Sequence, residues 1–381
     1  MTTALVVMLL ASWIFWLASV SCARRVLTPK NRGLRASCPP VSILKPVRGL
    51  DFEARENFIS HCEQRYPEYE VLFGVTGADE PVVPLVRELQ RTYGEERVRL
   101  VIAPHEALNP KAGLLDALAR RARHDVLVAT DSDVRLPPDG VARAVAPLAD
   151  PAVGLVTLLY RGGRVLSPAA ALEALGMEAE FLPGALVGRQ VLRAAFALGP
   201  GNALRRDALH RIGGFEAVSS YLADDYQLGF QIGAKGLRVE VGDVVISAVL
   251  GRTSLRVWWC REVRWARTIR MSRPAHYPGL MLTFSTPLAL LATVAYGWWP
   301  ALLGSLAVRW HVGWQMTRLM SDRALRRWFW LLPLRDLLSP AIWLAGLVGR
   351  TVSWRGRTFH VAPNGQLVEP PHEPEAARVR S

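Results

Sequence analysis

In VLVATDSDVRLPPDG, residues 126–140, an apolar run of four ends in two closely spaced carboxylates, Asp131 and Asp133. A D-x-D at the end of a strand offers two oxygen ligands to Mg²⁺ or Mn²⁺, hard cations that also take waters and the phosphate oxygens of a bound nucleotide. The same residues suit a polar turn, and Leu136-Pro137-Pro138-Asp139-Gly140 reads as loop or helix start. A second acidic pair, Asp224 and Asp225 in YLADDYQLGFQIGAKG, opens a helix that Gly236 ends. Acids at a helix start can be ordinary capping and dipole complementation. In WWCREVRWARTIRMSR, residues 258–273, Arg261 and Arg264 stand one helical turn apart and aim two guanidinium forks at one place. Guanidinium suits a diphosphate, whereas a basic, tryptophan-rich helix also suits the headgroup layer of a bilayer. No convincing Ser/His/Asp or Cys/His constellation accompanies these segments.

The elements that must position them alternate through residues 40 to about 250 as a mostly parallel sheet with helices on both faces. Strands are expected at 41–44, 70–75, 98–103 and 126–129. Helices are expected after Asp51 (a cap, with Phe58, Ile59 and Cys62 on one face), along Val82, Val86, Leu89 and Tyr93, and over 112–122. The run 126–129 is what a strand buried on both faces looks like. Ligands in open α/β sheets sit beyond the carboxyl ends of such strands, which is where Asp131 and Asp133 fall.

The 381 residues are 50% hydrophobic, enough for one large domain and something more. Residues 1–23 carry no charge, which predicts a transmembrane anchor. A basic linker follows over 24–39, placing the next domain in the cytoplasm. The α/β domain spans 40–255 and the basic interfacial helix 256–278. C-terminal transmembrane helices are expected within 279–349: a hairpin of 280–298 and 301–318 broken at Trp298-Trp299-Pro300, then a span at 329–349. The expected total is four crossings, although this leaves Arg350, Arg355 and Arg357 on the outer side, against the positive-inside tendency. Arg335 and Asp336 in the last span are expensive in hydrocarbon and, as helix neighbours, are not expected to pair with each other. Residues 169–196 either line an acceptor entrance, lie on the membrane or pack on the sheet. Residues 350–381 hold a hairpin turning at Asn364-Gly365 and a disordered tail from 370. The net charge of +13 suggests an anionic partner, but topology already explains many of the arginines, so nucleic acid is not expected. The four scattered cysteines fit a reducing compartment.

In order, the anchor, KPVRGLD, GVTGADEP, NPK, DSD, ADDY, REVRW, WRGRTFHV and the C-terminal membrane helices resemble the ceramide glucosyltransferase family. The resemblance, over about 40–367, is closer to its bacterial relatives that glycosylate hopanoids. It implies a GT-A fold and inverting transfer of one sugar, N-acetylglucosamine or glucose, from a UDP-sugar to a hydroxyl of a membrane lipid. A hopanoid polyol comes first as acceptor and ceramide second, at the cytoplasmic face of a bacterial inner membrane. It further implies that Asp79 helps hold uridine, with Gly77 as the alternative position, and that Asn109 and Lys111 lie near the nucleotide. Asp131 and Asp133 would take the divalent cation and diphosphate, with Asp224 beside the donor. Asp225 would be the general base, and Arg261, Arg264 and Trp265 would embrace diphosphate and acceptor. Ala112, Gly113 and Leu114 follow Lys111 where relatives continue with asparagine. Two other functions remain open: a processive polysaccharide synthase using the same groups, and a membrane-bound binding or scaffold protein without activity.

Overall fold

The computed structural model describes residues 2–28, 38–191, 195–354 and 357–369. The chain begins with α1 (Thr2–Leu27) and then alternates β1 (Val41–Pro46), α2 (Ala54–Cys62), β2 (Tyr69–Val75), α3 (Val83–Tyr93), β3 (Val98–Ile102), α4 (Pro110–Arg121) and β4 (Val126–Thr130). There follow β5 (Val134–Arg135), α5 (Gly140–Val145), β6 (Val153–Val165), α6 (Pro168–Gly176), a π-helical turn (Met177–Phe181) and α7 (Leu182–Val191). The α/β domain closes with β7 (Gly201–Arg205), α8 (Arg206–His210), α9 (Asp224–Ala234) and β8 (Arg238–Gly251). Beyond it lie α10 (Leu255–Ser272), α11 (Ser285–Tyr296), α12 (Trp299–Leu319), α13 (Leu332–Leu347), β9 (Thr351–Trp354), β10 (Arg357–Val361) and β11 (Leu367–Val368).

Eight strands form one sheet in the order β3-β2-β1-β4-β7-β6-β8-β5. The first four run parallel, as the buried apolar runs predict, and β7 enters antiparallel with Gly201 opposite Thr130. The loops after β1, β2, β3 and β4 and the approach to β7 therefore meet at one edge. One core packs on each face of the sheet. Asp51 is not the cap of α2: the position before the helix is Glu53, in left-handed backbone, and the Asp51 carboxylate accepts a hydrogen bond from Ser132 of DSD instead. Residues 169–191 pack inward, with α6 on β6 and α7 against α1.

Among the described residues, α1 alone is a straight helix long and apolar enough to cross a membrane, as the charge-free N-terminus predicts. A 3-10 segment (Pro274–Thr283) and α11 pass the same test together but are bent by 57°. The α12 helix has 21 residues and runs parallel to α1: Trp13 meets Ser305 and Arg24 meets Gln315. α11 runs the other way, its C-terminal half packing with Leu5 and Leu9.

Over the expected span at 329–349, no described helix is by itself long and apolar enough to cross a membrane. Its first residues are a 3-10 turn, and the 16 residues of α13 reach about 24 Å, less than a hydrocarbon core. α13 lies along α10: Tyr277 donates to the Trp343 carbonyl, and Arg270 donates to the Gly349 carbonyl at 2.6 Å. Arg335 and Asp336 point apart, as their spacing predicts. Arg335 reaches Glu262 (2.9 Å) and Glu180 (3.1 Å), while Asp336 accepts from Arg309 of α12 and Thr286 of α11. Both ends of α13 return to the α/β domain, through Arg327 donating to the Val165 carbonyl before it and through the β9–β11 sheet after it. The expected hairpin turn at Asn364-Gly365 forms between β10 and β11, with Gly365 at φ 84°. The tail from 370 and the centre of the basic linker, 29–37, lie outside the described residues.

Candidate active site

The edge where the parallel strands end gathers most of the acids that the sequence singles out. Thr130 closes β4, and the turn that follows is gripped residue by residue from β1 and α2. His61 Nε2 meets the Thr130 hydroxyl (3.0 Å), and Lys45 Nζ donates to the Asp131 carbonyl (2.6 Å). Ser132 donates to Asp51, and the Asp133 carbonyl accepts from Val249 of β8. These bonds fix the backbone, and Asp131 and Asp133 are half-buried at the strand ends.

Asp131 Oδ1 pairs with Lys111 Nζ at 2.6 Å, and Lys111 also donates to the Gly199 carbonyl. Asn109 is fully buried at the cap of α4, where its side chain accepts from Lys111 N and Ala112 N and donates to the Tyr221 carbonyl. Its place in the site is therefore to aim Lys111. The helix α9 begins at the same wall, so that Lys111, Gly199, Asn202, Asp224 and Asp225 line one small cavity. Asp225 lies so close to Gly199 that a Cβ there would stand 3.2 Å from its Oδ2.

The electrostatics follow from crowding acids where water is scarce. Burial, then Asp224, push the Asp225 carboxyl up to about 7, against the pull of Lys111. Burial, then Asp131 and Asp51, push Asp133 up to about 7. Burial pulls Lys45 down to about 7 although Asp133, Asp131 and Asp51 oppose it. Burial acts against the Lys111 ammonium too, but Asp131, Asp224 and Asp225 hold it above the usual lysine range. Among the described residues no three acid, His or Cys side chains converge on a metal position. Asp131 and Asp133 would be two ligands of a hard cation that completes its shell with waters and substrate phosphates, and the like charge that Asp131 and Asp51 impose on Asp133 is what such a cation would relieve.

Tyr160 is a buried β6 residue whose hydroxyl is held neutral by burial and by Asp225, Glu262, Asp131 and Glu173 around it. Arg261 is paired with Glu173 of α6, and the charge of Arg264 also acts on that carboxyl, more weakly than Arg261. Glu173 was not foreseen as a partner. Trp265 is half-buried against the core beneath the sheet. Asp79 lies in the loop after β2, tied to the β1 loop by Glu80, which accepts from Thr76 and from Gly49 N. A side chain at Gly77 would collide with the Asp79 carboxylate, so the two alternative positions describe one place.

Sequence reasoning missed Lys45, His61, Tyr160 and Glu173. KPVRGLD gave a signal for Lys45, a lone lysine at the end of an otherwise apolar strand. His61 and Glu173 act through partners 69 and 88 residues away, which periodicity does not reveal.

The model of glycosyl transferase family 21 matches residues 4–367. Ceramide glucosyltransferase 3 of Caenorhabditis elegans is 26% identical over 366 residues, covering 88% of this chain and 75% of that protein. Ceramide glucosyltransferase 1 of the same organism is 22% identical over 347 residues, covering 86% and 73%. Among solved structures, the mannosyltransferase PcManGT of Pyrobaculum calidifontis, in complex with GDP-Man and Mn²⁺, shares the fold with a TM-score of 0.52. It is 22% identical over 90% of this chain and 99% of that one. The architecture is thus of GT-A type, and the chain belongs to glycosyl transferase family 21, the ceramide glucosyltransferase family.

Proposed function

We propose that this lipid-acceptor glycosyltransferase moves a single sugar, N-acetylglucosamine or glucose, from a UDP-sugar to a hydroxyl of a membrane lipid, with inversion and Asp225 as general base. The observation that carries this reading is Asp225 itself. It is a half-buried carboxylate at about 7, beside the Lys111–Asp131 pair at the strand ends. An alcohol becomes a competent nucleophile when a carboxylate takes its proton as the C–O bond forms, and a base near neutrality holds the proton without losing it to water. Inversion needs one such base on the face opposite the leaving group. No covalent nucleophile is required.

Asp131 and Asp133 would hold a divalent cation, which when bound supplies Lewis-acid neutralisation of the charge that gathers on the leaving diphosphate. Lys111 adds a fixed ammonium beside them, while Arg261 and Arg264 of α10 would add two more cations. Preorganised charge of this kind acts on the transition state more than on the ground state. Arg261 would exchange Glu173 for the diphosphate or keep it as an anchor. Asp79 would hold the uridine and Asp224 would support Asp225. Trp265 and α10 would bring the acceptor hydroxyl to the site from the bilayer.

We propose three crossings in place of four: α1 and the α11–α12 hairpin cross, whereas α13 lies along the domain. Arg318, Arg323, Arg326 and Arg327 then share a face with Arg350, and the conflict with the positive-inside tendency disappears. That face is the cytoplasmic one, and the membrane the inner membrane of a bacterium. Family resemblance favours a hopanoid polyol as acceptor and ceramide next.

Lipid mass spectrometry tests the reading. Detergent-purified protein receives Mn²⁺ or Mg²⁺, a panel of UDP-sugars, and hopanoid-polyol and ceramide acceptors. One added hexose or N-acetylhexosamine is expected; long glycans would indicate a processive synthase, and neither product nor UDP release would favour a binding protein.

A further inference from the structure

The segment RTFHVAPNGQLV, residues 357–368, has no part in the chemistry above, yet it packs against the chain just before Asp224 and Asp225. Leu367 N donates to the Ser220 carbonyl at 2.7 Å, and Leu222 N donates to the Gly365 carbonyl at 3.2 Å. Tyr221 bridges Gln366 between those two bonds, so residues 220–222 act as an added edge on the β10–β11 hairpin. Leu222 is buried with Val352, Phe359, Val361 and Leu367, and Leu108 and Met271 pack on the same cluster. Asn109 donates to the Tyr221 carbonyl and its backbone N–H to that of Ser219, so the same segment meets the residue that aims Lys111.

Two residues beyond Leu222 the chain reaches Asp224 and Asp225. The residue before α9 is Ala223, which has no side-chain cap to fix the first turn. The chain enters that turn from 220–222, which the hairpin holds.

We propose that the β10–β11 hairpin is a positioning element for sugar transfer and that Leu367 is its key residue, through its N–H and its buried side chain. The inference rests on the reading of Asp225 as the base. The Leu367 N–H faces Ser220 and not β10, whose bond to this end of the hairpin runs from Ala362 N to the Gln366 carbonyl. A proline at 367 therefore removes the docking bond and leaves that hairpin bond.

The test compares kcat, donor KM and melting temperature in full-length purified protein. Leu367→Pro is expected to lower kcat at least about tenfold, a fraction of what a general base supplies. Its donor KM should stay within about threefold, because Asp131, Asp133, Arg261 and Arg264 lie on other elements. Leu367→Ile should restore kcat, and the exposed Val368→Thr should leave it unchanged. A Leu367→Pro enzyme with unchanged kcat overturns the proposal, as does one whose kcat, donor KM and melting temperature deteriorate together. Should that variant not fold, Leu367→Ala decides on the same two quantities. Asp225→Asn runs alongside: if it stays active the reading of the base falls, and if it is inactive while Leu367→Pro is fully active only the hairpin's role falls.

Discussion

Two sets of buried charge lie in this molecule, one at the strand ends and one between the C-terminal helices, and they are built on opposite terms. Between the helices, Arg309 grips Asp336 with two nitrogens, donates a third bond to the Ala179 carbonyl and stacks 3.8 Å over Trp16 of α1. Thr286 completes the shell of Asp336. Both charges of the Arg309–Asp336 pair thus meet partners inside the chain. At the strand ends, Asp51, Asp131, Asp133, Asp224 and Asp225 crowd around Lys45 and Lys111, and the strain shows as carboxyls raised and a lysine lowered toward neutrality. The contrast separates architecture from function. A closed set of charges locks helices together, whereas an unbalanced one is arranged for something that arrives from outside.

Removing one member from each set separates them. Asp225→Asn is expected to lower turnover by about 10² to 10⁴ while the protein stays folded, measured by steady-state kinetics beside thermal melting. Breaking the closed set should act on stability: Arg309→Met leaves Asp336 buried without its partner, at a cost of about 3–5 kcal/mol. The paired change Arg309→Met with Asp336→Leu should regain most of that loss in melting temperature.

Smaller effects sharpen the boundary. Gly199→Ala puts a methyl 3.2 Å from Asp225 Oδ2, so turnover should fall by about tenfold with little change in melting temperature. The rate should also follow the ionisation of Asp225. Its carboxyl is raised to about 7, so the active, ionised form is lost as pH falls through that value, and kcat/KM should drop on the acid side with a midpoint near it. A tag after residue 369 should be accessible from the same membrane face as the α/β domain; protection on that face would contradict three crossings.

The sequence shows the first four strands, the D-x-D beyond Ala129, the helix opened by Asp224 and Asp225, and the α1 anchor, because each is a local pattern of two, three or four residues. It also separates Arg335 from Asp336 by helical geometry alone. What stays hidden is long-range. Arg261 has its partner 88 positions away in Glu173, and Arg309 reaches 130 positions to Ala179. The stretch 329–349 is apolar enough to suggest a span, but apolarity does not distinguish a helix facing lipid from one lying along α10. Asp51 looks like a helix cap because a cap needs only a carboxylate at a helix start, whereas its real partner, Ser132, becomes a neighbour only once the sheet forms.

One pair of variants tests the central contrast most directly: turnover and melting temperature of Asp225→Asn and Asp336→Asn, measured together at pH 8. The raised Asp225 carboxyl means that its ionised form costs the folded state free energy above about pH 7. Asp225→Asn is therefore expected to lose turnover and melt no lower than the parent, while Asp336→Asn melts well below it. Equal losses of melting temperature in both, or an active Asp225→Asn enzyme, would contradict the account.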